Sequence, residues 1–390
     1  MKGFIGFFKN RKSRIFDIKA SGRRPDLVFL FSVLLLSVLG SLAVFSAGHA
    51  YAEFRYGDGM YFVKKQLIWL ALGLAVMIFV SKIQTEIFML LTPYLYALTL
   101  VLLVMVLAVG FVGNGAQRWI SIGPLTIQPS EICKLTLILM LSKYFSDFNS
   151  KISDRDSTRS VFLYSTLIPL LIMLVPIILV MLQKHLSCII ILGAIGITVI
   201  FLSGANPKYL CIFLAVGVAA VAALALFTDY TKERITVWQN PEAYKLTGGW
   251  QTLQGLMAIG SGGIFGVGIG KSVLKHCYVS EPANDMIFAI VAEECGFVGA
   301  VLVLLLFAFV CLRGFIIGIR SPDTYSRLVA CGISAKMAVQ VLLNVAVVTN
   351  TIPNTGISLP FFSYGGSSLI MMFFEVGIML SISRRAKIHK

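Results

Sequence analysis

Ser280-Glu281-Pro282-Ala283-Asn284-Asp285-Met286-Ile287-Phe288-Ala289 carries a polar loop into a long apolar run. A carboxylate at the mouth of a membrane helix is costly to keep, which makes Asp285 a candidate functional residue. The plain structural alternative is that Asn284 or Asp285 caps a helix beginning at Met286. Just upstream, Gly248 to Gly270 reads GGWQTLQGLMAIGSGGIFGVGIG and holds nine glycines. Glycine is unfavourable inside a helix, so an isolated spanning helix is not expected there. The run is nevertheless too apolar for a solvated linker. A re-entrant or interfacial element packed against other helices fits it. Gly270-Lys271-Ser272 looks like the end of a Walker A loop, but Phe265 stands where that pattern needs glycine. With no strand–loop–helix context either, the nucleotide reading fails.

The same apolar character extends through the chain. Its 390 residues are 57% hydrophobic and 13% charged, against about 45–50% and about 25% in soluble domains. Runs of about twenty apolar residues, the length that crosses a bilayer, recur throughout. The expected fold is an all-α polytopic membrane protein of about ten transmembrane helices. Their cores lie near 27–47, 66–81, 87–110, 131–145, 161–182, 186–203, 208–227, 286–312, 326–349 and 364–383. A basic segment 1–26 and a tail 385–390 flank a single transmembrane domain, 27–384, whose large external loop is 228–285.

The net charge of +15 sits in short segments between the apolar runs. Lys2, Lys9, Arg11, Lys12, Arg14, Lys19, Arg23 and Arg24 crowd the start; Arg384, Arg385, Lys387 and Lys390 crowd the end. Lys143, Lys151, Arg155 and Arg159, and then Arg313, Arg320 and Arg327, form two further groups. Under the positive-inside rule all these flanks are cytoplasmic, both termini included, and 48–65, 111–130 and 228–285 face outward. The charge thus reads as membrane orientation, not as nucleic-acid binding. The seven cysteines include no Cys-x-x-Cys pair, and only Cys277 lies in an obvious loop, so neither a zinc site nor a disulfide framework is supported. Ala50-Tyr51-Ala52 has the small-x-small form of a cleavage site, but the run from Leu27 to Phe45 exceeds a signal peptide's apolar core.

Several polar residues interrupt the apolar segments. Glu131 and Lys134 stand three apart and can face each other as an ion pair, which could also border a cavity for an anionic headgroup. Lys336, Gln340 and Asn344 form one stripe at fourfold spacing. Interhelical hydrogen bonds account for the two amides, whereas Lys336 must snorkel or find a partner. Ile357 to Ser368 reads ISLPFFSYGGSS, a bend whose hydroxyls, Ser363 among them, can satisfy backbone or ligand. On a helix starting near Asp285, Glu293 would lie about 80° around and about 12 Å along. With Glu294, these acids suggest a polar cavity, equally compatible with an ion pathway and an enzyme site.

NGAQRWISIGPLTIQPSEICK, GGWQTLQGLMAIGSGGIFGVGIG, EPANDMIFAIVAEECGFVGA and TGISLPFFSYGGSS, in that order, resemble the signatures of the FtsW/RodA/SpoVE (SEDS) family. The resemblance covers nearly the whole chain. It implies a peptidoglycan glycosyltransferase of the bacterial cytoplasmic membrane that polymerises lipid II beside a class B penicillin-binding protein and other cell-division or cell-wall proteins. It puts the family's catalytic aspartate on Asp285, and it matches Arg118, Glu131 and Lys134 to polar family positions. The EPAND form and the GVGIG turn look closer to division or sporulation members. Where the family often has Pro-Asp-Leu-Gly-Thr, this chain has Lys184-His185-Leu186-Ser187-Cys188. His185 is then either a polar substitute or a helix-end histidine bonded to backbone.

Glycosyl transfer from a lipid diphosphate needs a base for the acceptor hydroxyl, a role open to Asp285. It also needs positive charge beside the departing diphosphate. Arg118, Arg234 and Lys275 are candidates, although Lys275 reads better as a solvated loop charge. Lys336 and Ser363 complete the substrate-binding candidates. A divalent cation, Mg or Mn, could assist the leaving group, but no ligand cluster announces one. A lipid II flippase is the principal alternative, resting on Lys336 and Glu293, although no internal repeat supports it. A scaffold that only recruits a synthase is the third reading.

Overall fold

The computed structural model describes residues 24–113, 116–122, 125–148, 162–215, 217, 229–276 and 278–386. Most of the basic N-terminal segment, the 149–161 connection with Lys151, Arg155 and Arg159, Cys277, and the last four residues lie outside them.

Helices form where the apolar runs were read. They are α1 (Leu27–Tyr56), α2 (Tyr61–Ser81), α3 (Thr85–Val109), α4 (Pro129–Asp147), α5 (Ile168–Leu182) and α6 (Leu186–Leu202). After these come α7 (Asp229–Gln239), α8 (Gly249–Gly262), α9 (Ile287–Ile319), α10 (Thr324–Val348) and α11 (Gly366–Ser383). A π-helical turn, Leu163–Leu167, leads into α5. Residues 207–215 are helical too, and the rest of that expected span lies largely outside the described residues. Among the described residues, seven helices are long and apolar enough to cross a membrane. The spans at α4 and α6 are real helices as well. α4 carries too many charges and α6 is slightly short.

Polar side chains hold the ends of the bundle. Asp26 caps α1 by accepting from Phe29 N at 3.0 Å, and its other oxygen takes Arg313 Nε at 2.8 Å. Asp323 caps α10 through Ser326 N at 2.8 Å. Arg385 pairs with Glu86 at 2.5 Å, joining the end of α11 to the start of α3. α2 packs along α11, α9 along α10, and α3 against α4. α4, α10 and α11 are the most enclosed helices, so the polar stripe on α10 is interior.

One segment departs from the sequence reading, and the glycine-rich run keeps to it as an element packed against α9. The expected polar connection 111–130 contains three antiparallel strands, β1 (Phe111–Gly113), β2 (Ala116–Ile122) and β3 (Leu125–Ile127), in the order β1-β2-β3. The glycine-rich run is half helix: α8 forms through Gly262, and only then does the chain turn irregular. Packing against α9 overrides the low helix propensity of its glycines. Beyond α8, Gly266 has φ +82° and meets α9 at Gly296, itself at φ 69° and non-helical. A Cβ on Gly266 would lie 2.2 Å from Glu294 O, and one on Gly296 would lie 2.3 Å from Gly266 N. The break in α9 frees backbone groups, and the loop satisfies them. Val267 N and Gly268 N donate to Glu293 O and Glu294 O, each at 3.0 Å, while Phe297 N donates to Gly263 O at 2.9 Å. Irregular backbone at this depth is tolerated because protein, rather than lipid, completes its hydrogen bonds.

Candidate active site

Asp285 does not cap α9. The helix begins at Ile287, its N-cap residue is Met286, and no side chain caps it. Backbone contacts fix Asp285 instead. The carbonyls of Ala283, Asn284 and Asp285 accept in turn from Tyr364 N (2.8 Å), Ser363 Oγ (2.7 Å) and Asn344 Nδ2 (2.9 Å). The carboxylate is then held by Gln251 Nε2, 3.2 Å from each oxygen. Gln251 accepts from Asn354 Nδ2 at 3.1 Å, and Asn354 O accepts from the Arg234 guanidinium. Burial, and then the neighbouring Glu281 carboxylate, push the Asp285 carboxyl up to about 6, against the pull of Gln251 and Arg234.

Asp285 lines a cavity of about 1140 Å³. Its polar wall includes Arg118, Glu131, Lys134, His185, Arg234 and Gln251. Ile68, Trp69 and Leu72 of α2 and Ile370 of α11 make an apolar side. The sheet carries Arg118 to this wall, where its guanidinium donates to Lys184 O at 2.7 Å. Glu131 and Lys134 form the expected pair, at 2.7 Å, with both side chains buried. Lys134 also lies 3.5 Å from Gln340 Oε1. Gln340 and Asn344 are one helical turn apart on α10, a rise of about 6 Å. Their contacts tie the Lys134 region to the Asp285 backbone.

The pair makes a direct prediction. Glu131→Gln and Lys134→Met combined in a double-mutant cycle should show a coupling of about 0.5–3 kcal/mol in folding stability, as expected for contacting charges. Thermal unfolding of the membrane-inserted protein measures it, and additive single effects would refute the interaction.

Three expected substrate contacts do not reach the cavity. Lys275 is buried, not a solvated loop charge. Its ammonium lies 2.9 Å from Glu294 and 2.7 Å from Gly270 O, and Ser46 bonds the same carboxylate at 2.6 Å. Lys336 meets Glu375 of α11 at 2.5 Å inside the bundle. The Ser363 hydroxyl is used twice on backbone, accepting from Leu359 N at 2.7 Å and donating to Asn284 O. It positions the Asp285 loop instead of touching a ligand. The three-acid cavity expected of Asp285, Glu293 and Glu294 does not form either. Glu293 accepts from Ser272 Oγ (2.5 Å) and Val273 N (3.0 Å), so it clamps the glycine-rich loop.

Sequence reasoning missed Gln251, Asn354, Glu281 and Glu375. Gln251 and Glu375 were visible in principle as polar residues within apolar helices. Asn354 carries no such signal, because its role depends on a turn that only the tertiary structure creates. Nor is His185 the expected helix-end histidine bonded to backbone through its ring. Nδ1 lies 3.5 Å from Ser130 Oγ and the residue lines the cavity. Four non-glycine residues among those described have left-handed backbone: Lys184, Glu281, Asn350 and Phe361. Lys184, Glu281 and Asn350 lie in connections around the cavity end of the bundle, where strained backbone often serves a site, whereas Phe361 is buried in the core.

Fold and site together define a polytopic membrane protein with a deep polar cavity at one end of its helices and a fixed carboxylate in the wall. The chain belongs to the FtsW/RodA/SpoVE family, whose model, described as a cell cycle protein, matches residues 26–388. Stage V sporulation protein E of Bacillus subtilis is 38% identical over 366 residues, covering 93% of this chain and 98% of that protein. A probable peptidoglycan glycosyltransferase FtsW of Geobacter metallireducens is 32% identical over 367 residues, with 93% and 96% covered. Among solved structures, a chain from a peptidoglycan synthase complex, described as coordinating polymerisation and crosslinking, superposes with a TM-score of 0.77 at 28% identity, covering 92% of this chain and 98% of that one. The rod shape determining protein RodA of Thermus thermophilus gives a TM-score of 0.69 at 28% identity, with 93% and 98% covered.

Proposed function

We propose that this chain is a peptidoglycan glycosyltransferase that polymerises lipid II at the outer face of the bacterial cytoplasmic membrane. The observation that carries the reading is Asp285, held by Gln251 in a cavity whose wall also holds Arg118, Lys134 and Arg234. As general base, Asp285 takes the proton of the acceptor sugar's hydroxyl. The oxygen attacks the donor's anomeric carbon, the bond to the lipid diphosphate breaks, and its electron pair leaves with the diphosphate. Arg118 and Arg234 are the guanidinium groups suited to the departing oxygens. A divalent cation, Mg or Mn, would find Asp285, Glu281 and the diphosphate itself as ligands, and would neutralise leaving-group charge. Ile68 and Leu72 line the cavity yet are exposed, which suits an apolar side open to a polyprenyl tail. Fixing tail and sugars together is itself a large contribution to rate.

The partner in this reading is a class B penicillin-binding protein that crosslinks the strands, as the peptidoglycan synthase complex suggests. Purified protein with lipid II and that partner should produce glycan strands; none would form if the chain were only a scaffold or flippase. Orientation follows from the same reading. Arg313, Arg320, Arg327, Arg384 and Arg385 lie within two turns of the helix ends remote from the cavity or just beyond them, so that end is cytoplasmic. A C-terminal fluorescent reporter should fold in the cytoplasm, and phosphatase fused there should be inactive. An active phosphatase would reverse the topology.

A further inference from the structure

We infer that His185 belongs to the diphosphate subsite of this cavity and takes up one proton when a lipid diphosphate binds. The inference rests on the polymerase reading only for the identity of the lipid. His185 sits in the short turn between α5 and α6, and its ring lines the cavity together with Arg118, Lys134 and Thr355. The groups around it come from four sides. β2 contributes Arg118, whose guanidinium bonds the carbonyl of the adjacent Lys184. From α4 come Ser130, Glu131 and Lys134; from α6, Ser187 and Cys188. The connection after α10 adds Thr355, whose carbonyl accepts from Ser187 Oγ at 2.5 Å.

Two features of this wall point to an anion. Two cations, Arg118 and Lys134, and one carboxylate, Glu131, give the trio a formal charge of +1. The Thr355 hydroxyl is buried without a hydrogen-bond partner, and the residue is more than nine-tenths buried and lines the cavity. A buried hydroxyl left without a partner is costly, and a ligand oxygen would satisfy it. A diphosphate accepts from Thr355, Arg118, Lys134 and a protonated imidazole together.

The proton follows from the charges. In the empty cavity, burial and then Arg118 and Lys134 hold the imidazole well below its ordinary range, so it is neutral at pH 7. A diphosphate at the same wall offsets both cations and adds opposite charge beside the ring, which favours imidazolium. Binding and protonation are then linked. Affinity should rise as pH falls, by up to about tenfold per unit, between the His185 pKa values of the free and bound states.

The test uses the full-length protein in detergent and, as probe, the methyl ester of geranyl diphosphate, a diphosphate esterified at both ends that does not itself titrate near neutrality, followed calorimetrically at pH 7 in buffers of different ionisation enthalpy. The expected result is uptake of about one proton per diphosphate bound. His185→Asn should lose the uptake and flatten the pH dependence of Kd, whereas Asp285→Asn should keep both. The methyl ester of geranyl monophosphate, with less charge for the wall, should bind more weakly. Diphosphate binding without uptake, or uptake that survives in His185→Asn or vanishes in Asp285→Asn, would overturn the assignment. These outcomes stand on wild type and Asp285→Asn even if the histidine variant is unstable. No diphosphate binding at all would overturn the subsite alone, since the polymerase reading stands or falls on its own assay with lipid II. His185-dependent uptake without polymerisation of lipid II would leave the subsite standing and retire the polymerase.

Discussion

Asp285→Asn is expected to lower lipid II polymerisation by about 10²–10⁴-fold, the usual contribution of a positioned acid or base. Asparagine keeps the size of the side chain, and its carbonyl oxygen can still accept from Gln251. The three backbone contacts that fix residues 283–285 do not involve the side chain. Folding, membrane insertion and lipid II binding should therefore persist while turnover is lost. Glycan length and rate from purified protein with its partner, measured beside lipid II binding, give the answer. Near wild-type polymerisation would remove Asp285 as the base.

The same carboxyl sets a pH signature. Its pKa is raised to about 6, so the base form is dominant at pH 7 and is lost as pH falls through 6. Polymerisation should fall about tenfold per unit below that point. The effect on folding has the opposite sign. A carboxyl whose folded pKa exceeds its unfolded value near 3.8 disfavours the fold when ionised. That cost is fully present above about 6 and relieved as pH falls from there toward 3.8. Lower pH thus removes activity without weakening the protein through this group, and a melting curve beside the rate profile separates the two.

What the sequence could reveal depended on how far apart the interacting residues lie. Apolar runs report their own helices, because spanning length is a local property. Glu131 and Lys134 were legible as a pair because three residues along a helix guarantee proximity. Arg118 and Arg234 reached the cavity as expected, whereas Lys275, read as a solvated loop charge, is buried against Glu294. The lysine's partner, Glu294, lies nineteen residues away beyond a loop that turns back on α9. The break at Gly296 was equally hidden. A glycine between Glu294 and Phe297 reads as close helix packing until the neighbouring loop supplies Gly266 to meet it. Among the described residues the strands around Arg118 pair only with each other, in pieces as short as three residues, too short for periodicity to declare.

Lys336→Met should destabilise the protein by about 3–5 kcal/mol, because it leaves Glu375 as an uncompensated charge in the core. Lys336 is 2% exposed and Glu375 5% exposed, and they meet at 2.5 Å between α10 and α11. Neither residue lines the large cavity with Asp285. The double replacement Lys336→Met with Glu375→Leu removes both charges and should recover most of the lost stability, since apolar packing often replaces a buried pair at little cost. It should also keep lipid II polymerisation. The transport alternative drew its support from Lys336 and Glu293, and both have structural partners: Glu375 for the lysine, Ser272 and the Val273 amide for the glutamate. A transport cycle that used the Lys336 charge would fail in the double variant as completely as in the single one. Unfolding measured in the membrane-mimetic, with polymerisation on the same preparations, decides between them. Recovery of both makes Lys336 a fastening between helices, and a stable double variant without activity would return it to the functional machinery.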